Sequence, residues 1–140
     1  MAGAHRTRRR CRDRARSRGG VPVTGTTPLV LVLDDTTDQR ELLRVHLERA
    51  GCRVDVAATL SEAEERVRHE APDIAVIDLL LGDENGWDAQ KRLRELSPRT
   101  AIVISSVLDA ADYPCADAVL PKPFTRTQVA EIVHELRRSA

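Results

Sequence analysis

An α/β fold is predicted, with a doubly wound parallel sheet covered by helices on both faces. Three observations carry this. Several short segments are apolar without a break, as strands buried on both faces must be. Segments of helical period lie between them. Most of the apolar runs stop at a charged or hydroxylic residue.

The elements follow in order. Leu29-Val30-Leu31-Val32-Leu33 is the first strand, ending at Asp34-Asp35. Asp38 to Ala50 is a helix, with Leu42, Leu43, Val45 and Leu47 at helical spacing, Asp38 as cap and Gly51 as terminator. Val54-Asp55-Val56 is a short second strand, and Ser61 to Glu70 a second helix presenting Ala63 and Val67 on one side. Ile74-Ala75-Val76-Ile77 is a third strand ending at Asp78. A loop rich in Gly, Asp and Asn leads to a helix from about Trp87 to Leu96. Ala101 to Ile104 is the fourth strand, ending at Ser105-Ser106. Ala118 to Leu120 is the fifth, ending at Pro121-Lys122-Pro123. Thr125 caps a last helix with Val129, Ile132, Val133 and Leu136 on one stripe.

The chain has 140 residues and a formal net charge of zero, from 22 Lys+Arg and 22 Asp+Glu. That zero is a sum of unlike parts. Residues 1–27 hold eight arginines and one acid, Asp13, a net of +7, which leaves −7 for residues 28–140. The basic segment has few large apolar groups and cannot offset its chain entropy, so 1–27 reads as a disordered tail before one domain at 28–140. Gly19, Gly20, Pro22 and Gly25 stand where a secretory signal needs an apolar stretch. The tail is expected to be a flexible leader, or the product of a start codon placed too far upstream, rather than a nucleic-acid arm. With only Trp87, Tyr113 and Phe124 aromatic, no stacking platform for single-stranded nucleic acid is available. No apolar run is long enough to span a membrane. Cys11, Cys52 and Cys115 fit no metal spacing and suggest a reducing, cytoplasmic setting.

In a doubly wound fold, ligands sit outside the carboxyl ends of the strands. Asp34, Asp35, Asp78, Ser105 and Lys122 all stand there. Three adjacent carboxylates repel one another unless a cation balances them. Oxygen ligands of this kind suit Mg²⁺. A Lys and a hydroxyl beside them complete a pocket for a phosphoryl group, and a carboxylate can accept that group as an aspartyl phosphate.

With these residues in hand, the chain resembles the response-regulator receiver domains of bacterial two-component signalling. The resemblance runs from about Leu29 to Arg138. It rests on Leu-Asp-Asp at 33–35, Ile-Asp-Leu-Leu-Leu-Gly-Asp-Glu-Asn-Gly at 77–86, Ile-Ser-Ser at 104–106 and Pro-Lys-Pro-Phe at 121–124. It implies the flavodoxin-like receiver fold, with strand order 2-1-3-4-5, and Asp78 as phosphoacceptor. It implies Asp35 as a direct Mg²⁺ ligand, Asp34 as one acting through water or assisting placement, and Asp78 and the Leu80 carbonyl as further ligands. Ser105 becomes the switch hydroxyl and Lys122 the partner of an acceptor oxygen, often before a cis bond to Pro123. Such a protein is no enzyme in the usual sense; it assists its own phosphorylation and dephosphorylation.

The chain departs from the family pattern at four places. Gly82 replaces the usual Pro four residues past the acceptor. Val119 replaces the switch aromatic three residues before the Lys, and Tyr113 is out of register to substitute for it. Only 16 residues separate Ser105 from Lys122, and Pro114 lies among them, so the usual fourth helix is expected to shrink to a turn or two, or vanish. Leu80 and Val107, two past the acceptor and two past the hydroxyl, cannot hydrogen-bond an attacking water, so slow self-dephosphorylation is expected. The chain ends about where the last helix should. The expected output is therefore protein–protein contact, with a sensor histidine kinase or histidine phosphotransfer protein as donor and a downstream protein as target.

Two other readings are weaker. A phosphorylation-independent interaction module on the same fold leaves five competent site positions without a use. A haloacid-dehalogenase-type phosphatase needs a second Asp two positions after its nucleophile, and Thr36 and Thr37 stand there instead.

Overall fold

The computed structural model describes residues 27–139. The expectation for the basic segment falls on residues 1–26 and lies outside the described residues, apart from Thr27. The element order is β1 (Leu29–Leu33), α1 (Thr37–Arg49), β2 (Arg53–Ala57), α2 (Leu60–His69), β3 (Ile74–Asp78), β4 (Leu80–Leu81), β5 (Glu84–Asn85), α3 (Gly86–Leu96), β6 (Ala101–Ser105), a 3₁₀ turn (Ala110–Asp112), β7 (Ala118–Val119) and α4 (Arg126–Ser139).

Five strands form one parallel sheet in the order β2-β1-β3-β6-β7. Counting only its own strands, this is the expected 2-1-3-4-5. The central strands are apolar up to their carboxyl ends, where β3 closes on Asp78 and β6 on Ser105, because each face is covered. Leu31, Leu33, Ala75, Ile77, Ile102 and Ile104 belong to one buried cluster with Ala63, Val67, Ala89 and Leu93, from α2 and α3. The alternate residues Val30, Val32, Ile74, Val76 and Val103 belong to a second cluster with Leu43, Leu47, Val129 and Val133, from α1 and α4. The period of two in side-chain direction sorts one continuous run into two cores. Each fully buried Leu, Ile or Val contributes about 1.5–3 kcal/mol.

The helix boundaries hold within a residue or two, with one change at a cap. Thr36, not Asp38, is the N-cap of α1. Asp38 lies in the first turn instead, where its charge favours the positive end of the helix dipole. Gly51 follows the helix at φ +92°, a conformation that suits glycine. At α4, Thr125 Oγ1 accepts from the Gln128 amide (3.1 Å) while Gln128 Oε1 accepts from the Thr125 amide (2.8 Å). This reciprocal cap satisfies two groups the helix leaves open.

The loop after β3 is more ordered than its composition suggests. Leu80–Leu81 and Glu84–Asn85 pair antiparallel around Gly82-Asp83. Glu84 Oε1 accepts from the Leu60 amide at 2.9 Å, tying this small hairpin to the start of α2. Between β6 and β7 the only helical element is the three-residue 3₁₀ turn. The shortened fourth helix is therefore present as a single turn.

Candidate functional site

The register of the sheet sets the floor of the site. Asp78 and Ser105 are paired positions at the ends of β3 and β6. Asp34 follows β1 directly, and its amide donates to the Ala57 carbonyl at 3.1 Å. Lys122 follows β7, and its amide donates to the Ser106 carbonyl at 2.9 Å. Asp34, Asp35, Asp78, Ser105 and Lys122 thus come from the ends of four parallel strands, as sequence spacing predicted.

Their side chains interlock. Lys122 Nζ donates to Asp34 Oδ2 at 2.8 Å and to Asp78 Oδ2 at 3.0 Å. The second oxygen of each acid takes a backbone amide: Thr36 on Asp34 Oδ1 at 2.9 Å, and Leu80 on Asp78 Oδ1 at 3.0 Å. Asp34 and Asp78 are buried, and Asp35 is exposed. Burial alone would push the Lys122 ammonium down, but the hydrogen bonds and charges of Asp34 and Asp78 outweigh it and hold the group above its ordinary value.

Carboxylate oxygens of Asp34, Asp35 and Asp78 lie within 4.8 Å of one another. Three carboxylates against one ammonium leave an all-oxygen, net-negative cluster open on the Asp35 side. That donor set fits a hard divalent cation such as Mg²⁺. Gly82 helps keep the opening. It sits at φ +62°, and a Cβ there would stand 3.0 Å from Asp35 Oδ2. Gly86 is required for a different reason: a Cβ would meet the Asp78 carbonyl oxygen and Leu79 Cα at 2.3 Å each.

Ser105 is 1% exposed, and its Oγ has no hydrogen-bond partner among the described residues. A buried hydroxyl without a partner carries a desolvation cost of about 1–3 kcal/mol. Among the described residues of the site, it is the one buried polar side-chain atom with no partner. Leu80 and Val107, by contrast, expose 46% and 67% of their surface at the loops that follow Asp78 and Ser105. Trp87 packs partly into the α2/α3 core at the start of α3.

One residue that register excludes from the switch position lies next to the site all the same. Tyr113 is buried, and its hydroxyl donates to the Ser106 carbonyl at 2.7 Å. It is outside the register of the missing aromatic, as expected, but the loop carries it to the residue beside Ser105. Burial raises its phenol above the ordinary value.

Fold and site together define a receiver architecture: a doubly wound parallel sheet with an acidic cluster and a lysine at its carboxyl edge. The family model for response regulator receiver domains matches residues 30–134, and the chain belongs to that family, the receiver domains of two-component systems. The chemotaxis protein CheY of Thermotoga maritima is 29% identical over 117 residues, covering 78% of this chain and 97% of CheY. The probable transcriptional regulatory protein TcrX of Mycobacterium tuberculosis is 31% identical over 124 residues, covering 84% of this chain and 50% of TcrX. The chain thus spans about half the length of that relative. A crystal structure of a response regulator from Thermotoga maritima superposes with a TM-score of 0.71 at 25% identity, over 80% of this chain and 98% of that one. A CheY-like receiver domain from Methylobacillus flagellatus shares the fold at a TM-score of 0.73 and 23% identity, over 79% of this chain and 99% of the other.

Proposed function

We propose that this domain accepts a phosphoryl group from a phosphohistidine onto Asp78 and signals through the resulting change of surface. The observation that carries the reading is the Lys122 ammonium bridging two buried carboxylates beside a buried hydroxyl with no partner. In the transfer, an Asp78 oxygen attacks phosphorus, the P–N bond to the donor imidazole breaks, and the imidazole leaves. Lys122 offers a positive charge to the incoming phosphoryl oxygens, and Ser105 offers a hydrogen bond. Asp34, Asp35, Asp78 and the Leu80 carbonyl would hold Mg²⁺, which when bound would neutralise charge on the transferring group. The domain is a phosphoacceptor rather than a turnover enzyme.

The donor is a sensor histidine kinase or a histidine phosphotransfer protein in the cytoplasm. Its docking face includes α1, where Leu42 and Val45 are exposed by 43% and 40%. An apolar pair on a surface helix suits a helical partner. Among the described residues, no helix is long and apolar enough to cross a membrane. Output is by protein–protein contact. Incubation with a panel of autophosphorylated kinases and phosphotransfer proteins tests the reading: one donor should lose its label to this chain, and Asp78→Ala should prevent it. If every donor keeps its label, the domain is an interaction module that works without phosphorylation.

A further inference from the structure

The Ser106 carbonyl accepts two hydrogen bonds from two directions. The Lys122 amide reaches it at 2.9 Å, and the Tyr113 hydroxyl at 2.7 Å. Both lone pairs of that oxygen are thereby engaged. One donor belongs to the residue whose ammonium holds Asp34 and Asp78. The other belongs to the loop that replaces the usual fourth helix. The carbonyl they share is next in the chain to Ser105, whose hydroxyl has no partner among the described residues. The Tyr113 ring lies in the buried cluster that also holds Leu79 and Leu81, on either side of Leu80 in the acceptor loop. Tyr113 therefore shares a buried cluster with the segment after Asp78 and is hydrogen-bonded to the segment after Ser105.

We infer that Tyr113 is a positioning residue for Ser105, bracing the end of β6 so that its hydroxyl is already placed when a phosphoryl group arrives on Asp78. This rests on the phosphoacceptor reading above. The physical reason is preorganisation. Without a long helix after β6, the turn through Val107 and Leu108 is held by the packing of Leu108 on the core and by a long bond, 3.3 Å, from the Leu108 amide to Ser106 Oγ, while Val107 is 67% exposed. A free turn samples more conformations, and the phosphoryl-bound state must then order it at the expense of binding. The Tyr113 hydroxyl removes part of that ordering cost in advance. Its one hydroxyl proton goes to the Ser106 carbonyl and to none of the three clustered carboxylates, so its main effect falls on the phosphoryl-bound state.

The test is a double-mutant cycle between Tyr113→Phe and Ser105→Ala, read by beryllofluoride binding at saturating Mg²⁺ and by the initial rate of labelling with acetyl phosphate. Phe keeps the ring and its packing and removes only the hydroxyl. Loss of one hydrogen bond predicts about five-fold weaker beryllofluoride binding and a similarly slower rate. Mg²⁺ affinity, measured by calorimetry, should stay as in the wild type. In the Ser105→Ala background, where Asp78 and Lys122 still hold the ligand, the same substitution should change binding by less than about two-fold. A purely structural role would lower the melting temperature without this split and would add to Ser105→Ala. Unchanged beryllofluoride binding in Tyr113→Phe, or full additivity, overturns the inference. Wild-type protein and Asp78→Ala run alongside: if the wild type itself shows no Asp78-dependent binding, the phosphoacceptor reading fails instead.

Discussion

The ammonium of Lys122 stands 3.0 Å from Asp78 Oδ2, across 44 positions of sequence. The same nitrogen holds Asp34, so one cation keeps two buried carboxylates together. Removing it should have opposite effects on two measurable quantities. In Lys122→Ala the site becomes more negative, so Mg²⁺ should bind several-fold more tightly by calorimetry. Phosphoryl acceptance should fall sharply, since no charge remains to meet the incoming oxygens. Without Mg²⁺ the variant should also be less stable, by up to about 3 kcal/mol, because the two acids lose their shared counter-charge. Weaker Mg²⁺ binding in this variant would mean that the ammonium organises the cation site rather than competing with it.

Gly82 offers a second test. The receiver pattern that the sequence resembles would place Pro here, yet the backbone is at φ +62° and Asp35 lies against it. Proline is held near φ −65° and cannot adopt that turn. Gly82→Pro, a change toward the family pattern, should therefore lower stability by about 1–3 kcal/mol and weaken Mg²⁺ binding through Asp35. Thermal melts with and without Mg²⁺ check both effects.

The lifetime of the phosphoryl group should be long. Leu80 and Val107, two residues past Asp78 and Ser105, are exposed hydrocarbon side chains that cannot orient an attacking water by hydrogen bonding. Replacing Leu80 by Asn supplies an amide and should shorten the half-life of the labelled protein severalfold in a pulse–chase measurement. A wild-type half-life as brief as that of fast chemotaxis-type receivers contradicts this.

Cys52 is buried, and its thiol is pushed up to about 11. Burial is the main cause, because it disfavours the thiolate. Native protein at pH 8 should therefore leave Cys52 unmodified by iodoacetamide, and unfolding in urea should expose it, as read on the Cys52 peptide by mass spectrometry. The folded thiol ionises later than the unfolded one. Stability should therefore decline as pH rises from about 9 towards about 11.

Much of this architecture was legible because burial on both faces leaves an unmistakable pattern. Val30 to Leu33 and Ile74 to Ile77 need no alternation to read as central strands. The five site positions were legible for a related reason: a doubly wound sheet sends every strand end to one edge. The β4–β5 hairpin was not, since two-residue strands have no period to detect. Thr36 displaced Asp38 as cap because both are good capping types and only the backbone decides between them. Register excludes Tyr113 as the switch aromatic, and a single aromatic in an irregular loop has no pattern to suggest another role; only the fold brings its hydroxyl to Ser106.

The most direct measurement is labelling with acetyl phosphate, which needs no partner protein. Purified protein is incubated with the donor, with and without Mg²⁺, and the modified residue is located by peptide mass spectrometry. One phosphoryl group should appear on the peptide containing Asp78. It should require Mg²⁺ and be absent in Asp78→Ala. A label found elsewhere, or none at all in protein shown to be folded, would contradict the assignment of Asp78 as the phosphoacceptor.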